Sequence, residues 1–471
     1  MQQSNKIKQY TDSVCNQIRW KQAHPMVSGE IENHILDQKN AFIDEGLDEE
    51  TAADKAIEEM GDPVIVGSQL DRTHRPRTAW GMITLTMLIL LIGLAIDFWL
   101  QNDPLNSSGL PSLYRSVLAA AIGIVCMIIA YWVDFSIIGK YPKIIFIALA
   151  ILMLLAFPLS AQINGARRWI NIPILASFST SIFMLLCPTI YAGVIYSMRN
   201  KGYAGILLCG VLYAIPAFIA CNLKYGVTGI LLYTIVCLIL LTVSILNGWF
   251  NVRRLYGMLL VYVPTGLILR TIIFDLVIRS GRFVALLDPY VDPNGHGYVS
   301  IMIKELLSGA KLFGQGVLPM RYIGASNFWL PSFNTDYVIT YIIYRAGWVA
   351  FIAVLSVLVA FIAYGLYLCA KQKNVLGRLV AMSVVLTFTM QTVIYLSANL
   401  GFPLFSQLTL PLVSYGGTSA IANLLLIGTM LSVFKSGYLL CDDKRPAGSK
   451  RSGNKMLSFV DGKIIIDLGL K

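Results

Sequence analysis

From Thr78 to about residue 435 the chain is a nearly unbroken succession of apolar runs, each close to the ~20 residues a helix needs to cross a bilayer. In hydrocarbon, backbone N–H and C=O groups must be bonded within their own segment, so runs of this length fold as helices. They fall at about 79–99, 114–138, 143–162, 173–197, 203–222, 226–247, 255–278, 336–369, 377–399 and 413–435. The fold class expected is an all-α polytopic membrane protein with about ten transmembrane helices. Composition agrees: 56% hydrophobic residues, 13% charged residues and a mean hydropathy of +0.66 exclude an ordinary soluble enzyme.

The net charge of +11 does not point to nucleic acid. Lys and Arg sit in short loops between apolar runs, where they set orientation, and form no basic face interleaved with aromatics. With residues 1–77 inside, the inner loops hold Lys140 and Lys143, Arg199 and Lys201, Arg253 and Arg254, then Lys371, Lys373 and Arg378. An even number of spans returns the basic tail, 438–471, to the same side. Both termini are therefore expected in the cytoplasm. The eight cysteines lie mostly in or beside apolar runs and form no CxxC, so they read as packing residues.

Residues 1–77 are polar and hold no apolar core of signal-peptide length. They read as a small cytoplasmic helical domain. Ile31, Ile35 and Phe42 share one helical face, Gly46 is placed to end that helix, and Asp48 caps the next. Gly61-Asp62-Pro63 then stops it. A domain of this size supports docking, regulation or plain assembly, and nothing in it suggests catalysis.

Outside the membrane, four irregular stretches carry the candidate chemistry. The first holds Asn164-Gly165-Ala166-Arg167-Arg168-Trp169-Ile170. Positive charge on this face opposes the usual bias; paired guanidiniums suit an anion such as a membrane-anchored phosphate, or else form an Arg-Trp headgroup anchor. The second, Asn222 to Tyr225, is very short. The third is a large extracellular loop at about 279–335. Within it Val299, Met302, Ile303, Leu306 and Leu307 make one stripe, as in a helix lying on the outer membrane surface. Gly314-Gln315-Gly316 follows, a turn or a place for close backbone approach. The fourth leads into Ser414-Tyr415-Gly416-Gly417, where two glycines allow either tight helix packing or a broken helix facing a polar cavity.

Asn334-Thr335-Asp336-Tyr337 closes the large loop. A carboxylate at the mouth of an apolar run must be solvated, paired or at work, which makes Asp336 the leading catalytic candidate. Asp288, Asp292 and Glu305 are the loop's other acids and read as solvated charges. Asp97, Asp134 and Asp275 lie near span ends and give little sign of a midplane proton relay.

Taken in order, Gly-Ala-Arg-Arg-Trp-Ile, Asp-Pro-x-Gly-x-Gly-Tyr, Phe-Gly-Gln-Gly, Asn-Thr-Asp-Tyr and Leu-Pro-Leu-Val-Ser-Tyr-Gly-Gly-Thr-Ser resemble the SEDS family (shape, elongation, division and sporulation), which includes RodA, FtsW and SpoVE. The resemblance covers roughly 79–437; residues 5–72 resemble the short helical prefix domains of some Firmicute membrane proteins. It implies a ten-span peptidoglycan glycosyltransferase that polymerises lipid II, releases undecaprenyl diphosphate and pairs with a class B penicillin-binding protein. The family's essential aspartate matches Asp336, as general base or as ligand to a divalent metal, Mg or Mn. Arg167, Arg168, Trp169, Gln315, Thr335, Ser414, Tyr415, Gly416 and Gly417 are the substrate-binding residues it implies.

This chain departs from the pattern. Leu223-Lys224-Tyr225-Gly226 stands where Pro-Asp-x-Gly is usual, and Tyr344-Arg345 where two glutamates are usual. Asn334 replaces a His, Ser406-Gln407 a Thr-Gly, and Pro173-Ile174-Leu175-Ala176-Ser177 lacks the family's Glu and Lys. A flippase for a lipid-linked precursor, or a degenerate scaffold of the cell-wall machinery, are the alternatives to the enzyme.

Overall fold

Helix follows helix through most of the chain, as the apolar runs require. The computed structural model describes residues 2–73, 78–102, 113–163, 166–172, 176–223, 227–273, 282–317, 330, 332–333, 335–402, 408–414, 416–437, 457–460 and 463–466. Two compact units result, Met1–Leu440 and Cys441–Lys471.

The amino-terminal helices α1 (Gln2–Gln17), α2 (His24–Asp44), α3 (Glu49–Met60) and α4 (Pro63–Thr73) bury a core of their own. Val14, Val27, Ile31, Ile35, Ala52 and Ala56 fill it, with Phe42 at its edge. The Asp48 carboxylate accepts from the Thr51 amide at 3.1 Å, as expected of a cap. Lys39 in α2 meets Glu49 at the start of α3 at 2.6 Å.

The membrane helices are α5 (Trp80–Gln101), α6 (Leu113–Trp132), the short α7 (Ser136–Lys140), α8 (Pro142–Leu159), α9 (Ser181–Met198), α10 (Gly202–Asn222), α11 (Val227–Leu246) and α12 (Arg254–Ile273). After the loop helices α13 (Arg282–Leu287) and α14 (Tyr298–Ser308) come α15 (Val338–Ala346), α16 (Trp348–Lys371), α17 (Val375–Asn399) and α18 (Gly417–Ser436). Among the described residues nine of these are long and apolar enough to cross a membrane. The seventh expected run corresponds to α12, and its remainder to 278 lies outside the described residues.

Burial separates centre from rim. The spanning window of α9 is 67% buried and those of α17 and α18 61%, whereas that of α16 is only 22% buried. Side chains such as Leu91, Ile129, Ile144, Phe218 and Val359 lie exposed on the outer helices. A surface so apolar is solvated by lipid, which needs no polar face on these helices. At the centre, polar side chains bond across helices: Gln391 of α17 to Asn423 of α18 at 3.0 Å, and Ser383 of α17 to Thr189 of α9 at 3.1 Å.

Three features differ from the sequence expectation. The expected span 336–369 is broken: α15 is a separate nine-residue helix, and only α16 is a span. Gly347 makes the break at φ +97°, a backbone region side-chain-bearing residues avoid. The expected span 173–197 begins only at Ser181, because residues 176–179 are strand β3 of a small antiparallel sheet with β1 (Ser160–Ile163) and β2 (Ala166–Ile172). Here Ser177, Ser179 and Thr180 dilute the apolar run. Finally, the stripe on α14 faces protein: Met302, Ile303 and Leu306 are buried in the main core, and α14 packs on α15. In the carboxy-terminal unit β4 (Leu457–Val460) and β5 (Lys463–Ile466) pair as an antiparallel hairpin.

Candidate functional site

Asp336 sits in a turn built by Ser332. The Ser332 backbone adopts φ 54°, and its carbonyl accepts from the amides of Thr335 (3.1 Å), Asp336 (2.8 Å) and Tyr337 (3.2 Å). The turn delivers the chain into α15, whose residues Val338 to Tyr344 are all buried. This fixes where the backbone of Asp336 lies without using its side chain.

The carboxy-terminal end of α17 supplies the clamp. Asn399, fully buried, donates its side-chain amide to the Asp336 carbonyl at 3.0 Å and accepts from the Thr340 amide at 3.0 Å. One turn earlier, Tyr395 donates its hydroxyl to the Thr335 carbonyl at 3.2 Å and accepts from the Val338 amide at 3.1 Å. The Asp336 carboxylate, half-buried, lies close enough to act electrostatically on the Tyr395 and Tyr337 phenols. The Tyr337 phenol is raised above its ordinary value, by burial first and by Asp336 second.

The Ser414 side chain lies near the same Tyr395 hydroxyl. Ser414 closes a turn of its own, its hydroxyl accepting from the Leu410 amide at 2.8 Å. Gly416 and Gly417 then open α18. Just inside α18, the Thr418 hydroxyl accepts from the Ser179 amide at the end of β3 at 3.3 Å. Strand β2, which carries Arg167, Arg168 and Trp169, pairs with β3 through Trp169 and Ser179. Trp169 is exposed, and nothing is described of the Arg167 and Arg168 side chains. Thr335, Asp336, Ser414, Gly416, Gly417 and the Arg-Arg-Trp strand thus belong to one end of the bundle.

Gln315 lies elsewhere. Its amide donates to the Tyr344 hydroxyl at 3.2 Å and its carbonyl accepts from Arg345. At about 1.5 Å per residue, α15 puts about 13 Å between this cluster and Asp336. Tyr344 and Arg345, which replace two expected acids, therefore satisfy each other's surroundings through Gln315. Gly314 and Gly316 donate their amides to the Ala346 and Tyr344 carbonyls, fastening this loop to the break at Gly347.

Two of the loop's other acids hold turns, Asp288 accepting from the Tyr290 amide and Asp292 from the His296 amide, while Glu305 lies within α14. Asp134 likewise accepts from the Ser136 amide. Asn164, Gly165, Pro173, Ile174, Leu175, Lys224, Tyr225, Gly226, Asp275, Asn334, Ser406, Gln407 and Tyr415 lie outside the described residues. Sequence reasoning missed Tyr395 and Asn399. Their only signal was a Tyr and an Asn four residues apart on one face at the end of an apolar run.

Among the described residues no three His, Cys, Asp or Glu side chains gather as a metal site. Asp336 offers one carboxylate, so a Mg or Mn ion would take its remaining ligands from a substrate's phosphates, an arrangement usual for Mg²⁺.

Residues 77–438 match the model of the FtsW/RodA/SpoVE family, described as cell cycle proteins. A probable peptidoglycan glycosyltransferase FtsW from Trichlorobacter lovleyi is 24% identical over 331 residues, covering 68% of this chain and 83% of its own. The Escherichia coli peptidoglycan glycosyltransferase MrdB is 25% identical over 367 residues, covering 76% and 95%. A chain of a peptidoglycan synthase complex, studied for its coordination of polymerization and crosslinking, shares the fold with TM-score 0.59 and 21% identity over 77% of this chain and 98% of that one. Thermus thermophilus RodA does so with TM-score 0.50 and 20% identity, at the same coverage. With a match across more than half its length and a helix order that fits, the chain belongs to the FtsW/RodA/SpoVE family of cell cycle proteins.

Proposed function

We infer that this protein is a peptidoglycan glycosyltransferase that polymerises lipid II at the outer face of the cytoplasmic membrane. The observation that carries the reading is the placement of Asp336: a half-buried carboxylate whose backbone is held by Asn399 and Tyr395, beside the turn that opens α18. Family membership and relatives named as glycosyltransferases support it.

Glycan extension joins a sugar 4-hydroxyl to an anomeric carbon. Asp336 takes the hydroxyl proton as the new C–O bond forms; the bond from the anomeric carbon to phosphate breaks, and undecaprenyl diphosphate leaves with its electron pair. Arg167 and Arg168 stabilise the charge that develops on the diphosphate, with Trp169 at headgroup level beside them. Thr335, Ser414, Gly416 and Gly417 contribute to binding the lipid-linked sugar in this reading. A Mg or Mn ion carried on the diphosphate would neutralise part of its charge.

In this reading both termini are cytoplasmic, residues 1–77 form a docking or assembly module, and a class B penicillin-binding protein cross-links the product. Labelled lipid II, given to purified protein with and without divalent metal and a partner transpeptidase, tests it. Glycan chains from wild type and none from Asp336→Ala support the enzyme. Lipid II crossing vesicle membranes without polymer, unaffected by Asp336→Ala, would instead identify a flippase. Polymer from neither, with normal recruitment in cells, would identify a scaffold.

A further inference from the structure

A second carboxylate stands behind the Ser414 turn. Asp97 lies near the carboxy-terminal end of α5 and lines a small cavity of about 30 Å³ together with Ser116 of α6 and Ser414, Gly416 and Gly417. The Asp97 carboxylate lies at about hydrogen-bond range of the Ser116 hydroxyl, but that buried hydroxyl makes no hydrogen bond of good geometry among the described residues. The lining is mostly Leu, Gly and Ala, with Asp97, Ser116 and Ser414 as its polar side chains. A cavity of this size admits about one or two waters, and a buried polar group without a direct partner is normally satisfied that way. It is too small for a lipid diphosphate.

The turn it supports is strained. Leu412 adopts φ +61°, a conformation a branched apolar residue holds only when its surroundings impose it. One imposing contact is visible: the Leu412 carbonyl rests so close to Gly93 of α5 that a Cβ there would come within 2.1 Å of it. The end of α5 also touches the other side of the site, since Trp99 packs on Tyr341 of α15 with ring centroids 6.0 Å apart. Movement of α5 therefore reaches both the Ser414 turn and the helix that Asp336 precedes.

We propose that Asp97 is a positioning residue for the transfer reaction: through water shared with Ser116 it holds the Ser414 turn against α5, and through Ser414 and Tyr395 it fixes the Thr335–Asp336 backbone. The activity part of this proposal rests on the glycosyltransferase reading; the structural part does not. Asp97 contacts no substrate in this arrangement and acts through the turn.

The experiment uses the full-length protein in two measurements. The first is hydrogen exchange of backbone amides in 410–414 and 335–340, which needs no activity. Asp97→Leu and Gly93→Ala raise exchange in both segments, while Asp97→Asn, which keeps the polar contacts, does not. The second is polymerisation of labelled lipid II. There Asp97→Leu and Gly93→Ala lower kcat about tenfold or more with KM little changed, and Asp97→Asn stays within about threefold of wild type. Should Asp97→Leu fail to fold, Ser116→Ala removes the other group that shares the water, and the same outcomes are required of it. Unchanged exchange in both variants overturns the proposal, as does exchange raised equally by Asp97→Asn, or a loss confined to KM. A wild type that makes no glycan defeats the glycosyltransferase reading, while exchange still decides on the turn.

Discussion

Asn399 donates its side-chain amide to the carbonyl of Asp336 at 3.0 Å, across 63 residues of sequence, and the same side chain accepts from the Thr340 amide at 3.0 Å. One buried amide thus fixes the chain on both sides of the entry to α15. The chemistry asked of Asp336 depends on where its carboxylate points, and this bond sets the backbone from which it projects.

Replacing Asn399 tests the clamp. Asn399→Leu leaves the Thr340 amide and the Asp336 carbonyl without these partners in a buried place, a cost of about 1–3 kcal/mol for each group. The thermal unfolding temperature should fall, and polymerisation should fall further than the lost folded fraction explains. Asn399→Asp should be worse for activity, since it sets an oxygen where the donor to the Asp336 carbonyl stood. Unfolding monitored in detergent beside initial rates with labelled lipid II separates the two effects.

Tyr395 makes a sharper probe, because Tyr395→Phe keeps the ring that packs in the core and removes only the hydroxyl. Thr335 loses a donor, Val338 loses an acceptor and Ser414 loses its link to the Asp336 turn. Stability should drop by about 1–3 kcal/mol. The reaction should lose kcat more than KM, about tenfold, because the removed bonds orient the carboxylate rather than touch lipid. A variant of unchanged kcat would show that the turn needs no phenol to hold its place.

How far the sequence reached follows from the range of each interaction. Spans were legible because hydrocarbon imposes their length and apolarity residue by residue. Asp336 was legible because a carboxylate in such surroundings is costly wherever it falls. Its partners Tyr395 and Asn399 were not, since they are joined to it only by tertiary packing of α15 on α17. The break at Gly347 was hidden by apolar residues on both sides, which make two helices look like one span. Strand β3 was absorbed into the next span for a similar reason: the run in which it falls is apolar enough to extend a helix on paper, and pairing with β2 makes Ala176–Ser179 a strand.

Gly347 should tolerate no side chain. Its φ of +97° with ψ 171° is open to glycine alone, and a Cβ would sit 2.4 Å from the Leu312 carbonyl oxygen. Gly347→Val should destabilise by about 1–3 kcal/mol or more and release the Gly314–Gly316 loop, which is bonded to the Ala346 and Tyr344 carbonyls. Proteolysis near residue 315 in the variant, absent in wild type, is the expected sign.

The amino-terminal helices respond to acid. Asp48 is held below the ordinary carboxylate range by the Thr51 hydroxyl and amide, and Glu49 below it by Lys39. Groups whose folded value is depressed stabilise above their unfolded value and lose that contribution as pH falls through the folded one. Hydrogen exchange in α3 should therefore rise on acidification below the usual carboxylate range. Asp48→Ala, which also removes the cap, should flatten that response and raise exchange already at neutral pH.

The decisive change is at Asp336 itself. Asp336→Asn keeps the size of the side chain and one of its oxygens, and leaves the backbone bonds from Ser332 and Asn399 in place, so the turn keeps its backbone. It removes the proton acceptor, and loss of a general base costs about 10²–10⁴ in rate. Lipid II should still bind, because Arg167, Arg168 and the Ser414 turn are untouched, so KM should move little while kcat collapses. Raising Mg or Mn should not restore the rate, since a cation on the diphosphate assists the leaving group and cannot take the hydroxyl proton. Recovery of polymer at high metal would instead give Asp336 the role of metal ligand.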